Sequence, residues 1–293
     1  MNLIYDMPLY RPPAEADNLI IQATLGCSFN QCSFCAMYRS KQYKERPFAE
    51  VFTDIHQAAA LRPDAHRVFL ADGDALALPT GHLLDILREL SRSLPQLARV
   101  SCYATPANIQ RKSAEDLALL QQHKLNLLYV GVESGSDLML KKITKGATQK
   151  RMAEILTKAH ASGMKVSATV ILGLGGRTHS DEHIDGTIAL LNSAPVTYLS
   201  TLQLYLDESI EDEFYRKFGE PFEMLDDLAI LQEQEKLISG LNPPQTLIFR
   251  SNHASNALAL AGNLPRDRDK LLQQLREAMA GKRPLRPQYL RGM

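Results

Sequence analysis

Six short apolar runs, each followed by a stretch of helical periodicity, constrain this chain more than any other feature. The runs cover residues 19–25, 68–71, 100–103, 127–132, 166–172 and 198–206. Between them, Phe48, Val51, Phe52, Ile55 and Ala59 recur at the spacing of one helix face. So do Leu83, Leu87, Leu90 and Leu94, then Leu117 with Leu120, then Met152, Ile155, Leu156 and Ala159, then Ile184, Ile188 and Leu191. Strands that alternate with helices predict an α/β fold, because parallel neighbours need a crossover and a helix supplies it. The first, second, fourth and fifth runs lack polar alternation, as strands covered outside by helices do. Local signals mark the helix ends. Pro47 reads as a first helical residue, Thr80 and Ser180 as caps, Ser113 with Asp116 as a capping box, and Gly163 as a stop. Periodicity alone leaves an open doubly wound sheet and a curved barrel both possible, and both gather ligands where strands end.

Three of the four cysteines stand at the end of the first run. Cys27, Cys32 and Cys35 are spaced C-x4-C-x2-C, on the loop entered from Leu25 and Gly26. Thiolates so clustered point to a metal site with one position left open. A zinc site wants a fourth ligand, and the chain offers no second C-x2-C and no H-x3-H pair. A four-iron cubane takes one thiolate per iron, and three thiolates leave one iron for a small molecule. Three packed core cysteines are the plain alternative. Cys102, alone in the third run, reads as core.

The balance of 33 basic and 33 acidic residues speaks against a nucleic-acid surface. The first residues carry neither the basic nor the apolar part of a secretory leader. No run reaches the roughly 18 apolar residues of a membrane span. A cytoplasmic protein without membrane contact is expected, and in that compartment clustered cysteines bind metal more often than they form disulfides.

With Cys32-Ser33-Phe34-Cys35 in hand, the chain resembles the radical S-adenosylmethionine (radical SAM) superfamily, whose usual motif is C-x3-C-x-aromatic-C. Phe34 is the matching aromatic, and the first spacing is one residue longer than usual. Asp72-Gly73-Asp74, after the second run, stands where the family carries a Gly-Gly-Glu-like segment that holds the cofactor's amino group. Gly131-Val132-Glu133-Ser134-Gly135-Ser136 is similar to the fourth-strand segment of methylthiotransferases, elongator-type enzymes and anaerobic porphyrinogen oxidases. There the acidic residue binds ribose and a basic residue twelve positions on pairs with the cofactor carboxylate, which implies Glu133 and Lys145. Val170-Ile171-Leu172-Gly173-Leu174 resembles the fifth-strand segment that packs on adenine, and Thr169 adds a ribose contact.

The resemblance covers residues 18–206. It implies a partial (β/α)6 TIM-type barrel over residues 19–206, a [4Fe-4S] cluster on Cys27, Cys32 and Cys35, and S-adenosylmethionine as second cofactor. It also implies an electron donor such as flavodoxin or ferredoxin. Reductive cleavage of S-adenosylmethionine would give a 5′-deoxyadenosyl radical that takes hydrogen from a small-molecule substrate. RNA modification, porphyrinogen oxidation, a non-catalytic iron–sulfur electron-transfer or sensor role, and a zinc-structured binding role are the alternatives.

Residues 1–18 read as an extended lead-in, and residues 207–293 as a C-terminal α+β extension covering the barrel. In the extension, Leu225, Leu228, Leu231 and Ile238 are expected to face inward, and a strand is expected over 246–249. A polar cluster follows at Arg250, Asn252, His253 and Asn256. It reads equally well as a hydrogen-bonded turn and as a substrate contact. Pro265 is expected to start a last helix, and residues 281–293 to be loosely held. His179 and His183, lacking a third partner nearby, are expected at the surface.

Overall fold

The computed structural model describes residues 3–292; Met1, Asn2 and Met293, at the tips of the expected lead-in and tail, lie outside the described residues. The chain divides into two compact units. The first holds residues up to 30, 35–130 and 158–166, and the second holds 31–34, 131–157 and everything from 167 on.

The first unit contains, in order, β1 (Leu19–Gln22), β2 (Thr24–Leu25), β3 (Lys44–Glu45), α1 (Phe48–Leu61), β4 (Arg67–Ala71) and α2 (Thr80–Ser93). Then come β5 (Arg99–Tyr103), α3 (Pro106–Arg111), α4 (Ala114–Gln122) and β6 (Leu125–Glu133), whose last three residues belong to the second unit. β1, β4, β5 and β6 pair in parallel in that order, with Ile20 beside Phe69, Phe69 beside Ser101 and Cys102 beside Leu128. Val51 and Ile55 of α1 and Leu83, Ile86, Leu87 and Leu90 of α2 are fully buried. Removing such a side chain from water contributes about 1.5–3 kcal/mol. The run 19–25 is two strands, because Thr24 and Leu25 turn to pair antiparallel with Glu45 and Lys44. Pro47 precedes its helix, and Phe48 is exposed, set against the ring of His82. Thr80 opens α2 without capping it; its hydroxyl instead accepts from Lys112 Nζ at 3.4 Å. The capping box at Ser113 and Asp116 is present.

The second unit adds α5 (Asp137–Lys142), α6 (Gln149–Ala161, its last turn in the first unit), β7 (Lys165–Leu172, its first two residues in the first unit), α7 (Ser180–Ser193) and β8 (Tyr198–Gln203). It continues with α8 (Glu208–Phe218), α9 (Asp227–Gly240), β9 (Leu247–Ser251), β10 (Leu260–Leu264) and α10 (Arg268–Met279). β7, β8 and β9 are parallel neighbours, and β10 closes antiparallel on β9. The extension therefore contributes two strands to the sheet.

Several expectations for this unit are corrected, and one element is new. The acidic run 207–213, to which the sequence pattern assigns no element, starts a helix: Asp207 caps α8 by accepting from Ser209 N, and carboxylates suit a helix N-terminus. Ile210, Phe214 and Phe218 then fall on one buried face. Leu228 is exposed, since the buried stripe of α9 runs through Ile230, Leu231, Leu237 and Ile238. α10 begins at Arg268, three residues after Pro265. The tail is held down to Arg291: Arg286 donates to the carbonyls of His253, Ala254 and Asn256, and Arg291 grips Asp227 with two bonds of 2.6 and 2.7 Å. Among the described residues no helix is long and apolar enough to cross a membrane.

Candidate functional site

In the first unit, the site residues stand where β1 and β4 end. Asp72-Gly73-Asp74 lies alongside Gly26-Cys27-Ser28. Gly73 N donates to Gly26 O at 3.0 Å, Gly26 N to Asp72 Oδ2 at 3.0 Å and Ser28 N to Asp74 Oδ1 at 3.0 Å. A side chain could not stand at Gly73: a Cβ there would come 2.9 Å from Cys27 Cβ and 3.0 Å from Gly26 O. Asp72 is fully buried and also accepts from Gln22 Nε2 at 2.9 Å and Lys41 Nζ at 3.0 Å. Asp74 accepts from Ser28 Oγ and from Asn108 Nδ2, the latter at 3.1 Å. Burial pushes the Asp74 carboxyl up while these hydrogen bonds pull it back. Burial also pushes the Cys27 thiol up, and the Asp74 charge adds to it. Cys102 is core, as expected; burial lifts its thiol to about 12.

In the second unit, the site residues gather around the end of β6. Glu133 is buried, has a left-handed backbone (φ +64°), and accepts from Lys145 Nζ at 2.9 Å. A Cβ on Gly131 would overlap Glu133 Oε1 and stand 2.9 Å from Lys145 Nζ, so the pair lies over a position that only glycine leaves open. The Ser134 hydroxyl faces His183 Nδ1 at 2.8 Å, and His183 Nε2 donates to Ile171 O at 2.9 Å. That carbonyl bond fixes the neutral tautomer, with Nδ1 accepting from Ser134. His183 is thus buried, not at the surface, and desolvation lowers its pKa to about 4. At the end of β7, Gly173 N donates to Glu233 Oε2 at 2.6 Å, and Ser180 Oγ donates to Glu233 Oε1 at 2.7 Å. Ser180 therefore reaches across to α9 instead of capping α7. Burial raises the Glu233 carboxyl to about 7. Leu174 sits in an apolar cluster with Ile171, Met139, Ile143, Leu204, Phe214 and Phe218, and Phe34 packs against that cluster. Thr169 is half-buried, one residue before Val170 of β7. Cys32 follows Gln31, whose carbonyl accepts from Lys217 Nζ of α8 at 3.2 Å.

The structure thus joins Glu133 to Lys145, Phe34 to the cluster around Leu174, and Asp72 and Asp74 to the chain flanking Cys27. The polar cluster 250–256 is a hydrogen-bonded turn: Asn256 bonds Thr201 O, Ser251 Oγ and Gln203 N. His183 and Glu233 were missed, although each carried a signal. His183 lies one turn from Thr187 and beside Ile184 on the inner face of α7, and Glu233 lies between Ile230 and Leu237 on that of α9.

The residues of the cysteine loop fit cluster chemistry. Besides the thiols, Ser33, between Cys32 and Cys35, presents a buried hydroxyl without a hydrogen-bond partner among the described residues. Sulfur atoms of an iron–sulfur cluster accept such bonds. Among the described residues no three His, Cys, Asp or Glu side chains are close enough to hold a single metal ion, whereas a cubane spreads its thiolates over separate irons.

Residues 21–191 match the model of the radical SAM superfamily. The chain belongs to this superfamily of enzymes, whose cofactors are a [4Fe-4S] cluster and S-adenosylmethionine. A heme chaperone, HemW of Bacillus subtilis (strain 168), is 28% identical over 168 residues, covering 54% of this chain and 44% of its own. A tRNA-2-methylthio-N(6)-dimethylallyladenosine synthase of Chromobacterium violaceum is 26% identical over 186 residues, covering 58% and 40%. The chain spans less than half the length of these relatives. Coproporphyrinogen III oxidase (HemN) from Escherichia coli superposes with a TM-score of 0.56 at 16% identity, over 76% of this chain and 52% of that one. That likeness is one of fold, and it bears out the expected partial (β/α)6 barrel class. The curated relatives bear out the resemblance to the methylthiotransferase branch.

Proposed function

We propose that Cys27, Cys32 and Cys35 hold the [4Fe-4S] cluster, and that this enzyme removes a hydrogen atom from a small-molecule substrate. The observation that carries the reading is Glu133, a buried carboxylate held in a left-handed backbone over Gly131 and paired with Lys145. A non-glycine residue there costs about 1–3 kcal/mol, and such strain collects at functional sites. When bound, the cluster and S-adenosylmethionine supply the electron and the 5′-deoxyadenosyl radical. This chain's residues bind and orient. Glu133 receives the ribose hydroxyls, with Ser134 and Thr169 beside it in sequence and on the next strand. Lys145 pairs with the cofactor carboxylate once Glu133 turns to ribose. The Asp72-Gly73-Asp74 turn, lying against Cys27, meets the amino end through its main chain. Gly173 and Leu174 line the adenine, with Phe34 closing the apolar side. The balanced charge favours a small molecule over nucleic acid. The matched tRNA-modifying relative makes an RNA base the second reading. The electron comes from a flavodoxin- or ferredoxin-like donor in a reducing cytoplasm.

The test is anaerobic reconstitution, analysis of iron and sulfide per chain, then reductant and S-adenosylmethionine with detection of 5′-deoxyadenosine. A cluster with cofactor cleavage is expected. A chain that takes up no iron, or a cluster that neither binds nor cleaves the cofactor, overturns the reading. Protection of 5′-deoxyadenosine yield by added tRNA, without any small molecule, would favour the RNA reading.

A further inference from the structure

Between Cys27 and Cys32 the chain has one residue more than the usual spacing of its superfamily, and the loop is held by contacts of its own residues. Asn30 has a left-handed backbone (φ +41°). Its amide Nδ2 donates to Tyr38 O at 2.8 Å and to Lys41 O at 3.3 Å, both beyond Cys35. Its carbonyl accepts from Arg39 Nη1 at 3.2 Å, and Arg39 Nε donates to Cys35 O at 3.1 Å. The loop is therefore stapled across its own base. At its other end Asp74 takes both donors of Ser28, and Asn108 Nδ2 holds the same carboxylate from α3. Asp72 accepts from Gly26 N, and Gln22 Nε2 and Lys41 Nζ also donate to its carboxylate. Lys41 thus links the two braces, since its carbonyl meets Asn30 and its ammonium meets Asp72.

We propose that Asn30, Asp72 and Asp74 are positioning residues of the cluster site: they brace the lengthened loop so that Cys27 and Cys35 are presented as ligands. The side chains of Asp72 and Asp74 serve the protein, and only the main chain of that turn is left to the cofactor. This assignment rests on the cluster reading above and deepens it. Asp72 and Asp74 act on the backbone on either side of Cys27, Asn30 ties the loop to the chain that follows Cys35, and partners of this kind tune affinity by about 10- to 100-fold.

The experiment compares wild type with Asn30→Gly and Asp74→Asn, reconstituted anaerobically. Glycine adopts the left-handed backbone freely, so Asn30→Gly removes only the amide staple. Asp74→Asn keeps an acceptor for Ser28 N and loses the second oxygen. Glu15→Gln, which weakens a buried clamp on Arg99 and Tyr129 in the same unit, controls for general loss of stability. The readouts are iron and sulfide content, the rate of bleaching by a chelator, and the paramagnetic resonance line shape of the reduced cluster. Both loop variants are expected to lose iron about 10- to 100-fold faster and to change the line shape. The control is expected to lower the melting temperature while leaving both unchanged. If wild type holds a cluster and the loop variants match it in rate and line shape, the positioning role fails while the cluster reading stands. If wild type takes up no iron, both fall together.

Discussion

At the residue scale, the end of β6 concentrates what the sequence hinted and the structure defines. The spacing of Glu133 and Lys145 was legible through resemblance. The strain at Glu133 and the gap over Gly131 were not, because neither is a property of a side chain in isolation. A methyl group at Gly131 would overlap the Glu133 carboxylate. Gly131→Ala is therefore expected to keep the fold and to weaken S-adenosylmethionine binding by at least about ten-fold, or about 1.4 kcal/mol, as titration calorimetry of the reconstituted protein would read. Unchanged affinity would remove the pair from the cofactor site. Lys145→Met leaves Glu133 buried without its ammonium, and losing one partner of a buried pair costs about 3–5 kcal/mol. Urea unfolding should show that loss, and Glu133→Gln in the same chain should return part of it. Full additivity of the two substitutions would show that the ion pair is not coupled in the way its 2.9 Å separation implies.

At the scale of elements, two helices of the second unit reach the strand ends with buried titratable groups of opposite tendency. His183 of α7 ties Ser134, at the end of β6, to Ile171 in β7; Glu233 of α9 holds the turn at Gly173. His183 has a folded pKa of about 4 against an ordinary 6.5. Between those values the unfolded chain takes up a proton that the native histidine refuses, so this group withdraws stability as pH falls from 6.5 to 4, by at most about 3 kcal/mol. Glu233 has a folded pKa of about 7 against an ordinary 4.5. There the native carboxyl keeps the proton, so its contribution is full below 4.5 and is lost as pH rises through 7. From 4.5 to 6.5 the two slopes oppose. The expected result is a plateau in wild-type stability over that range, a falling slope with pH in His183→Gln and a rising one in Glu233→Gln. Urea midpoints across pH 4 to 8 provide the check; parallel curves for all three proteins would show that neither group titrates as described. The sequence supplied the stripes that bury both residues, through Ile184 and Thr187 on α7 and Ile230 and Leu237 on α9. What it lacked was the partner across the gap, since Ser134 and Gly173 lie about 50 to 60 positions away along the chain.

At the scale of the whole molecule, the extension is continuous with the sheet of the second unit. β9 adds in parallel to β8, Glu233 serves the Gly173 turn, and Phe214 and Phe218 of α8 fill the cluster against which Phe34 packs. A chain ending at Leu206 would bare the β8 edge and that apolar surface, and unpaired edges aggregate. It is expected to be insoluble when expressed, whereas a chain ending at Gly281 should fold and lose at least about 2 kcal/mol with the bonds of Arg286 and Arg291. A soluble, cluster-binding 1–206 fragment would show the barrel to be independent of its extension. By itself the sequence determined the alternation of strands and helices and the superfamily, since both rest on apolar periodicity and on cysteine chemistry carried by neighbouring residues. Tertiary structure alone decided that the acidic run 207–213 is helical, that Arg286 and Arg291 pin the tail, and that Asp72 and Asp74 brace the chain around Cys27. Each of those outcomes depends on a hydrogen-bonding partner or an apolar surface that folding brings from far along the chain, and local pattern does not carry that information.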